Sequence, residues 1–355
     1  MRFKADWDEA KARLTALWRG TPLDRPCIAV TAPSGREVAW PPAPVSHAQQ
    51  WVDPDWVVRQ ALASMESTWW GGEAVPSYLL MAGWIVNFGG RPVFDAATIW
   101  FETETFDFDR PPCFCFDPAD AWVRRFDACH AALARAAGQD DFMVGQPVML
   151  PACDVLSMRM GTEQFLLALH DHPDWMRQAL AQGAQAQAAG MEYFRGRLAG
   201  RHDFPYGIAG WMPFWAPEPF VATQSDVSCM LSPALYGEFV FPELQLYAEH
   251  CGPVWYHLDG RDAQQHLPRL LAWERLRVLQ YTPTPGEPPN GPAHLRFYRQ
   301  VQAAGKILHL DVPGEHVAAL LRELDPGRLM LYTHCASRAD GERLLAEAGR
   351  WARNR

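Results

Sequence analysis

The sequence predicts an α/β fold, a single (β/α)8 barrel with an irregular insertion near the amino terminus. Three observations point to it. Between Pro253 and Cys335 the chain repeats a strand-then-helix unit four times, at VWYHLD (254–259), LRVLQY (276–281), KILHLD (306–311) and RLMLYT (328–333). Short apolar runs alternating with helical segments call for parallel βαβ units rather than a sandwich. Across the whole chain the strand candidates fall near 27, 79, 144, 208, 255, 278, 308 and 330, and eight is the number that closes a TIM-type barrel. Polar residues collect at the strand ends: His257 and Asp259, Gln280, His309 and Asp311, His334 and Cys335. In a closed parallel barrel those ends share one face, where active sites are built.

Taken in order, Asp6 to Trp18 reads as an amphipathic helix stopped by Gly20 and Pro22, and PCIAVTAP (26–33) as the first strand. Residues 33–116 form a Pro- and Trp-rich excursion. Within it, Asp53 and Pro54 supply an N-cap and first-turn proline for a helix reaching about Thr68. The run WFETETFDFD (100–109) alternates like a half-buried strand or hairpin arm. Asp117-Pro118 opens another helix, FMVGQPVML (142–150) is a buried strand, and Pro173 to Arg197 is a long helix. FPYGIAGWMPFWAP (204–217) supplies the fourth strand, and Ser232-Pro233 starts the next helix. The economical organisation is one domain over 1–355, with a doubly wound two-domain sheet as the alternative. A Gly-x-Gly-x-x-Gly turn after the first strand and a Walker-type loop are both missing.

Composition narrows the function classes. A net charge of −9 without a basic run argues against nucleic acid and against an anionic membrane surface. The charged first fourteen residues lack a signal-type apolar core, and no apolar run approaches the ~20 residues of a membrane span, so the expected location is the cytoplasm. Eight scattered cysteines read as reduced thiols, with the pair Cys113 and Cys115 as structural. Sixteen tryptophans build either a large aromatic core or an aromatic-walled pocket, with Trp84, Trp211 and Trp215 as the cofactor-contact candidates.

The segments SDVSCMLSPALYGEFVFPEL, VWYHLDGRDAQQHL and LQYTPTPGEPP resemble the uroporphyrinogen decarboxylase-like superfamily. WWGGEAVPSYLLMAG and PACDVLSMRMGTEQFLLALHDHP fit the same pattern, from about Asp24 to Trp351. The resemblance implies a TIM-type barrel and one of two chemistries. True porphyrinogen decarboxylases carry an Arg-rich amino-terminal loop, whereas AVTAPSGRE keeps only Arg36. A polycarboxylate substrate held without several arginines is electrostatically implausible. The corrinoid-linked methyltransferases hold zinc with a His-x-Cys and a later Cys. Carried over, that pattern names His257, Asp259 in place of the first Cys, and Cys335 as metal ligands.

An Asp can replace a thiolate in zinc binding, and three protein ligands with an open position are the catalytic arrangement. The substitution hardens the site towards Fe or Mn, or leaves Asp259 as a general base without metal. Strand alternation turns only one of His334 and Cys335 inward. Asp226 is either a substrate contact at the mouth or a helix N-cap, and Asp154 is open to the same two readings. His309 either joins the catalytic group, orients the ligand histidine from behind, or makes a core hydrogen bond. The leading expectation is a zinc-dependent methyltransferase-like enzyme that activates a thiol or moves a methyl group to or from a small substrate or a corrinoid on a partner protein. The alternatives are a metal-independent decarboxylase or lyase acting on a small acid, and a non-catalytic ligand-binding barrel. The sequence leaves the oligomeric state open, a homodimer included.

Overall fold

The computed structural model describes residues 1–353 apart from 82, 87, 139–140, 146 and 199–211. Its strands are β1 (Cys27–Pro33), β2 (Thr68–Gly72), β3 (Ser77–Tyr78), β4 (Pro92–Phe94), β5 (Ile99–Phe101), β6 (Met143–Val144), β7 (Val221–Thr223), β8 (Val254–Asp259), β9 (Leu276–Thr282), β10 (Ile307–Asp311) and β11 (Leu329–His334). Seven of them form one sheet in the order β2-β1-β11-β10-β9-β8-β7, parallel throughout except for β2 against β1. A parallel pair β3–β6 and an antiparallel hairpin β4–β5 stand apart from it.

The four strand-helix units read from 253–335 are β8 to β11 and their helices, as expected. Their strands are buried along most of their length because helices cover them, hence the continuous apolar runs in place of alternation. The expected strands near 79 and 144 shrink to two residues each and pair with one another. The expected strand near 208 lies outside the described residues. β7, which the sequence did not suggest, supplies the edge beside β8. Only the first two residues of the alternating run 100–109 are strand; they belong to the β4–β5 hairpin, and beyond it the chain is irregular. Hydrogen-bonded pairing among the described residues ends at β2 and β7, so the ladder is a seven-stranded sheet rather than a closed ring of eight.

Several local expectations hold. Asp53 accepts from the Trp56 N–H with Pro54 in the first turn, and Ser232 accepts from Leu235 N–H ahead of Pro233. Glu73 lies in the turn that follows β2, but it is not solvated. It is fully buried, accepting from Arg25 at 2.7 and 2.8 Å and from the Ile28 N–H at 2.7 Å. Gly72 makes that possible: at φ +58°, with the Ile28 carbonyl standing where a Cβ would project, no other residue fits. All eight cysteines are free, and Cys113 and Cys115 are exposed rather than structural. Their intervening and following residues, Phe114 and Phe116, take the inward positions against Phe88 and Tyr193.

Candidate metal centre and adjoining cleft

Neighbours in a parallel ladder point to the same face, so the register tells which side chains share the sheet surface. His257 on β8 lies opposite Gln280 on β9, which lies opposite His309 on β10 and then Met330 on β11. Two residues towards the carboxyl ends, the same face carries Asp259, Thr282, Asp311 and Tyr332. The last such row adds His334 opposite Thr31, with the Thr31 hydroxyl 2.5 Å from His334 Nδ1. The strand ends therefore present a polar rim above an apolar floor.

One metal-competent group stands out on this rim. Asp226, His257 and Asp259 each offer a ligand atom, and these atoms all lie within 4.8 Å of one another. Asp226 comes from the short 3-10 turn Asp226–Met230 that follows β7, and the other two come from β8. His257 is buried, and both carboxylates reach solvent. His257 Nδ1 meets the Gln280 side-chain oxygen, and Gln280 Nε2 in turn donates to Thr282 Oγ1 at 3.0 Å. Because the Gln280 amide nitrogen is committed to Thr282, its oxygen accepts, which places the histidine proton on Nδ1. That is how ligand histidines are usually held, the second ring nitrogen being left basic. Burial lowers the His257 pKa, opposed by the Gln280 hydrogen bond and the Asp259 charge.

Asp226 is fixed from two sides. Gln224 Nε2 donates to its Oδ2 at 2.7 Å, and the buried Asp154 carboxylate accepts from the Asp226 and Val227 N–H groups, each at 3.0 Å. Asp154 sits in the first turn of helix Ala152–Met160, yet the turn it caps is the one that carries Asp226. The pKa of Asp154 is raised by burial. That of Asp226 is also raised, first by the protein packed behind it and then by the Asp154 and Asp259 charges, although its outer edge reaches solvent. Cys229, on the same turn, is pushed up by burial and by Asp259 and Asp226, so it stays a neutral thiol.

The remaining candidates fall elsewhere. Cys335 continues β11 by one residue, its N–H donating to the Thr31 carbonyl at 2.8 Å. Alternation puts His334 on the face of the triad and Cys335 on the opposite face, towards helix Arg338–Arg353, where Asp340 acts on it. The structure thus does not bring Cys335 to His257 and Asp259; Asp226 is the third group. His309 is fully buried, and its Nδ1 accepts from the Trp255 indole at 3.1 Å. Trp255 precedes His257 by two residues on the same face, so His309 engages the layer beneath the rim. Burial drives its pKa down to about 3. Trp215 is buried edge-on to Trp7 at 5.7 Å, and Trp211 lies outside the described residues.

Trp84 has a different fate. It is buried, donates to the Ile99 carbonyl at 3.2 Å, and lines a cleft of about 410 Å³. Asp154, Gln224 and Asp226 line the same cleft, so one carboxylate belongs to both the triad and the cleft. The lining also includes Met81, Trp100, Met158 and Met230. Asp226, Gln280 and Gln224 are the positions whose part in the triad was not evident from sequence. Gln280 had a signal, since it ends a strand beside the His-x-Asp strand; Gln224 had none beyond preceding Asp226.

No family model matches the chain, and no curated protein matches it. A solved structure, a methyltransferase from Methanosarcina mazei, is similar with a TM-score of 0.61 at 14% identity. The match covers 96% of this chain and 98% of that one. The two chains share a fold.

Proposed function

We propose that this chain is a metal-dependent, methyltransferase-like enzyme, built as a single domain of TIM-like α/β architecture across residues 1–355. The carrying observation is the convergence of Asp226, His257 and Asp259. The donor set fits a divalent ion: imidazole and carboxylate are accepted zinc ligands, and three protein groups leave a position for substrate. Two carboxylates without a thiolate also suit Mn and Fe, so the site is harder than a Cys-based one. Held by Asp226, His257 and Asp259, such an ion would lower the pKa of a substrate thiol so that its thiolate is available at neutral pH.

The residues around it have separable tasks. Gln280 holds the His257 tautomer and ring, while Gln224 and Asp154 hold Asp226. The cleft holds the small substrate beside Asp226. In the transfer itself the sulfur lone pair forms the new S–CH3 bond, and the donor keeps the electron pair of the bond that breaks. The thiol proton leaves to solvent through the exposed carboxylate edge. The donor is a small methyl-bearing molecule or a corrinoid carried by a partner protein. The fold shared with a methyltransferase supports this reaction class.

The crowding of Asp154 and Asp226 supports a second reading, acid–base chemistry on a small substrate without metal, since paired acids whose pKa values are raised can exchange protons near neutrality. Metal titration of wild type, His257→Ala and Asp226→Asn separates the two. The metal reading expects one equivalent of Zn, Mn or Fe(II) bound by wild type and lost in both variants. A folded wild type that binds none of the three overturns it.

A further inference from the structure

The cleft beside the triad has a charge pattern that selects its occupant. Its volume of about 410 Å³ lies within the roughly 300–1,000 Å³ of small-molecule sites. Among the described residues that line it, no Lys, Arg or His appears, and the only ionisable groups are Asp154 and Asp226. An anionic ligand entering here meets two carboxylates and no counter-charge. The Asp154 oxygens are already occupied by the Asp226 and Val227 N–H groups. The uncharged polar side chains lining the cleft are the hydroxyls of Thr98, Ser157 and Thr162 and the amide of Gln224, whose nitrogen donates to Asp226.

The apolar wall has a feature that folding alone does not account for. Trp100 is 54% exposed and Met230 50% exposed, two of the few large apolar side chains left open to water. Both line this cleft. Trp100 is the outward residue of β5, whose neighbours Ile99 and Phe101 take the buried positions. Large apolar groups gathered at the rim of a cavity mark a binding site rather than random exposure. Met81, Met158 and Met230 add unbranched, adaptable side chains that mould to an apolar guest.

We infer that the cleft binds a mainly apolar small molecule carrying a hydroxyl or ether-like oxygen, and disfavours its anionic analogue in the metal-free protein. The inference does not depend on the reading of Asp226 as a metal ligand.

The test titrates 2-phenylethanol and phenylacetate, two probes of one skeleton, calorimetrically into metal-free full-length protein. The expected result is measurable binding of 2-phenylethanol, with phenylacetate at least about tenfold weaker. Trp100→Ala and Met230→Ala, both at exposed positions, should weaken 2-phenylethanol about fivefold or more by removing apolar contact area. His257→Ala should abolish zinc and leave 2-phenylethanol binding in place. Phenylacetate binding as tightly as 2-phenylethanol, no detectable 2-phenylethanol binding, or binding indifferent to both rim variants overturns the inference. A wild type that binds no metal but keeps the preference for 2-phenylethanol over phenylacetate overturns only the metal reading.

Discussion

His257 presents Nδ1 to the side-chain oxygen of Gln280, the residue directly opposite on the neighbouring strand. Strand register, rather than a flexible loop, therefore sets the orientation of the imidazole. Gln280 is fully buried and its other end is tied to Thr282, so it has little freedom to compensate. Gln280→Leu is expected to keep the fold and to weaken metal binding by about 10–100-fold, the usual effect of losing a partner behind a ligand histidine. Competition titration against a chromophoric chelator measures it. Unchanged affinity in a folded variant would detach His257 from the proposed centre.

The third ligand is the point at which family resemblance and geometry part. Cys335→Ser is expected to retain full metal stoichiometry because its side chain lies across the strand wall from His257. Asp226→Asn and Asp259→Asn should each lose the ion or bind it far more weakly. Elemental analysis after dialysis reads the difference directly. Metal lost from the serine variant and kept by both asparagine variants would restore the thiolate site.

Glu243 offers a pH signature away from the centre. It is buried and receives the Cys153 thiol at 3.0 Å; burial, then the Asp154 charge, pushes its pKa up to about 8. In the unfolded chain the group ionises near pH 4.5. Between those values the folded state holds a proton that the unfolded state has released, so stability falls as pH rises from about 4.5 towards 8, then levels off. Glu243→Gln should remove this decline and raise stability at pH 7.5 by a few kcal/mol, because each tenfold difference in proton affinity between the two states is worth about 1.4 kcal/mol. Urea unfolding at pH 5 and pH 7.5 checks the sign: an identical pH slope in variant and wild type would refute the buried neutral acid.

His309 contributes the opposite slope. Its folded pKa of about 3 lies below the ordinary 6.5, so the unfolded chain takes up a proton first on acidification. Stability from this group is present above about pH 6.5 and is lost as pH falls towards 3. His309→Leu should flatten that acid limb while leaving metal stoichiometry unchanged, since His309 bonds Trp255 and not the triad. Thermal unfolding from pH 4 to 7 with parallel metal analysis tests both halves. Loss of the ion in a folded variant would return His309 to the centre.

Much of this was legible in the sequence where strands are long and covered by helices. β8 to β11 combine apolar runs with polar ends, and His257 and Asp259 share a face by simple alternation. What was not legible depends on tertiary placement. Asp226 comes after a segment with no clear period, and its role is set by Asp154, 72 residues earlier. Asp154 reads locally as a first-turn acid; that it caps a distant turn is invisible to helix signals. The sequence could leave His334 and Cys335 as alternatives for the inward position. Only the register against Thr31 shows which one faces the rim. Aromatic richness likewise sorted by position, Trp84 and Trp100 lining the cleft and Trp215 joining the core.

The pairing of β1 with β11 joins Cys27 to Met330. During synthesis the first strand can meet β2 early, but its other edge has no mate until Leu329–His334 has left the ribosome. The four units from β8 to β11 assemble from near neighbours, so the late half can organise while the early half waits. Such long-range closure slows folding and leaves an apolar edge open meanwhile. A nascent chain stalled before residue 329 therefore exposes that edge, making truncated products more prone to aggregation and more dependent on chaperones than the finished protein.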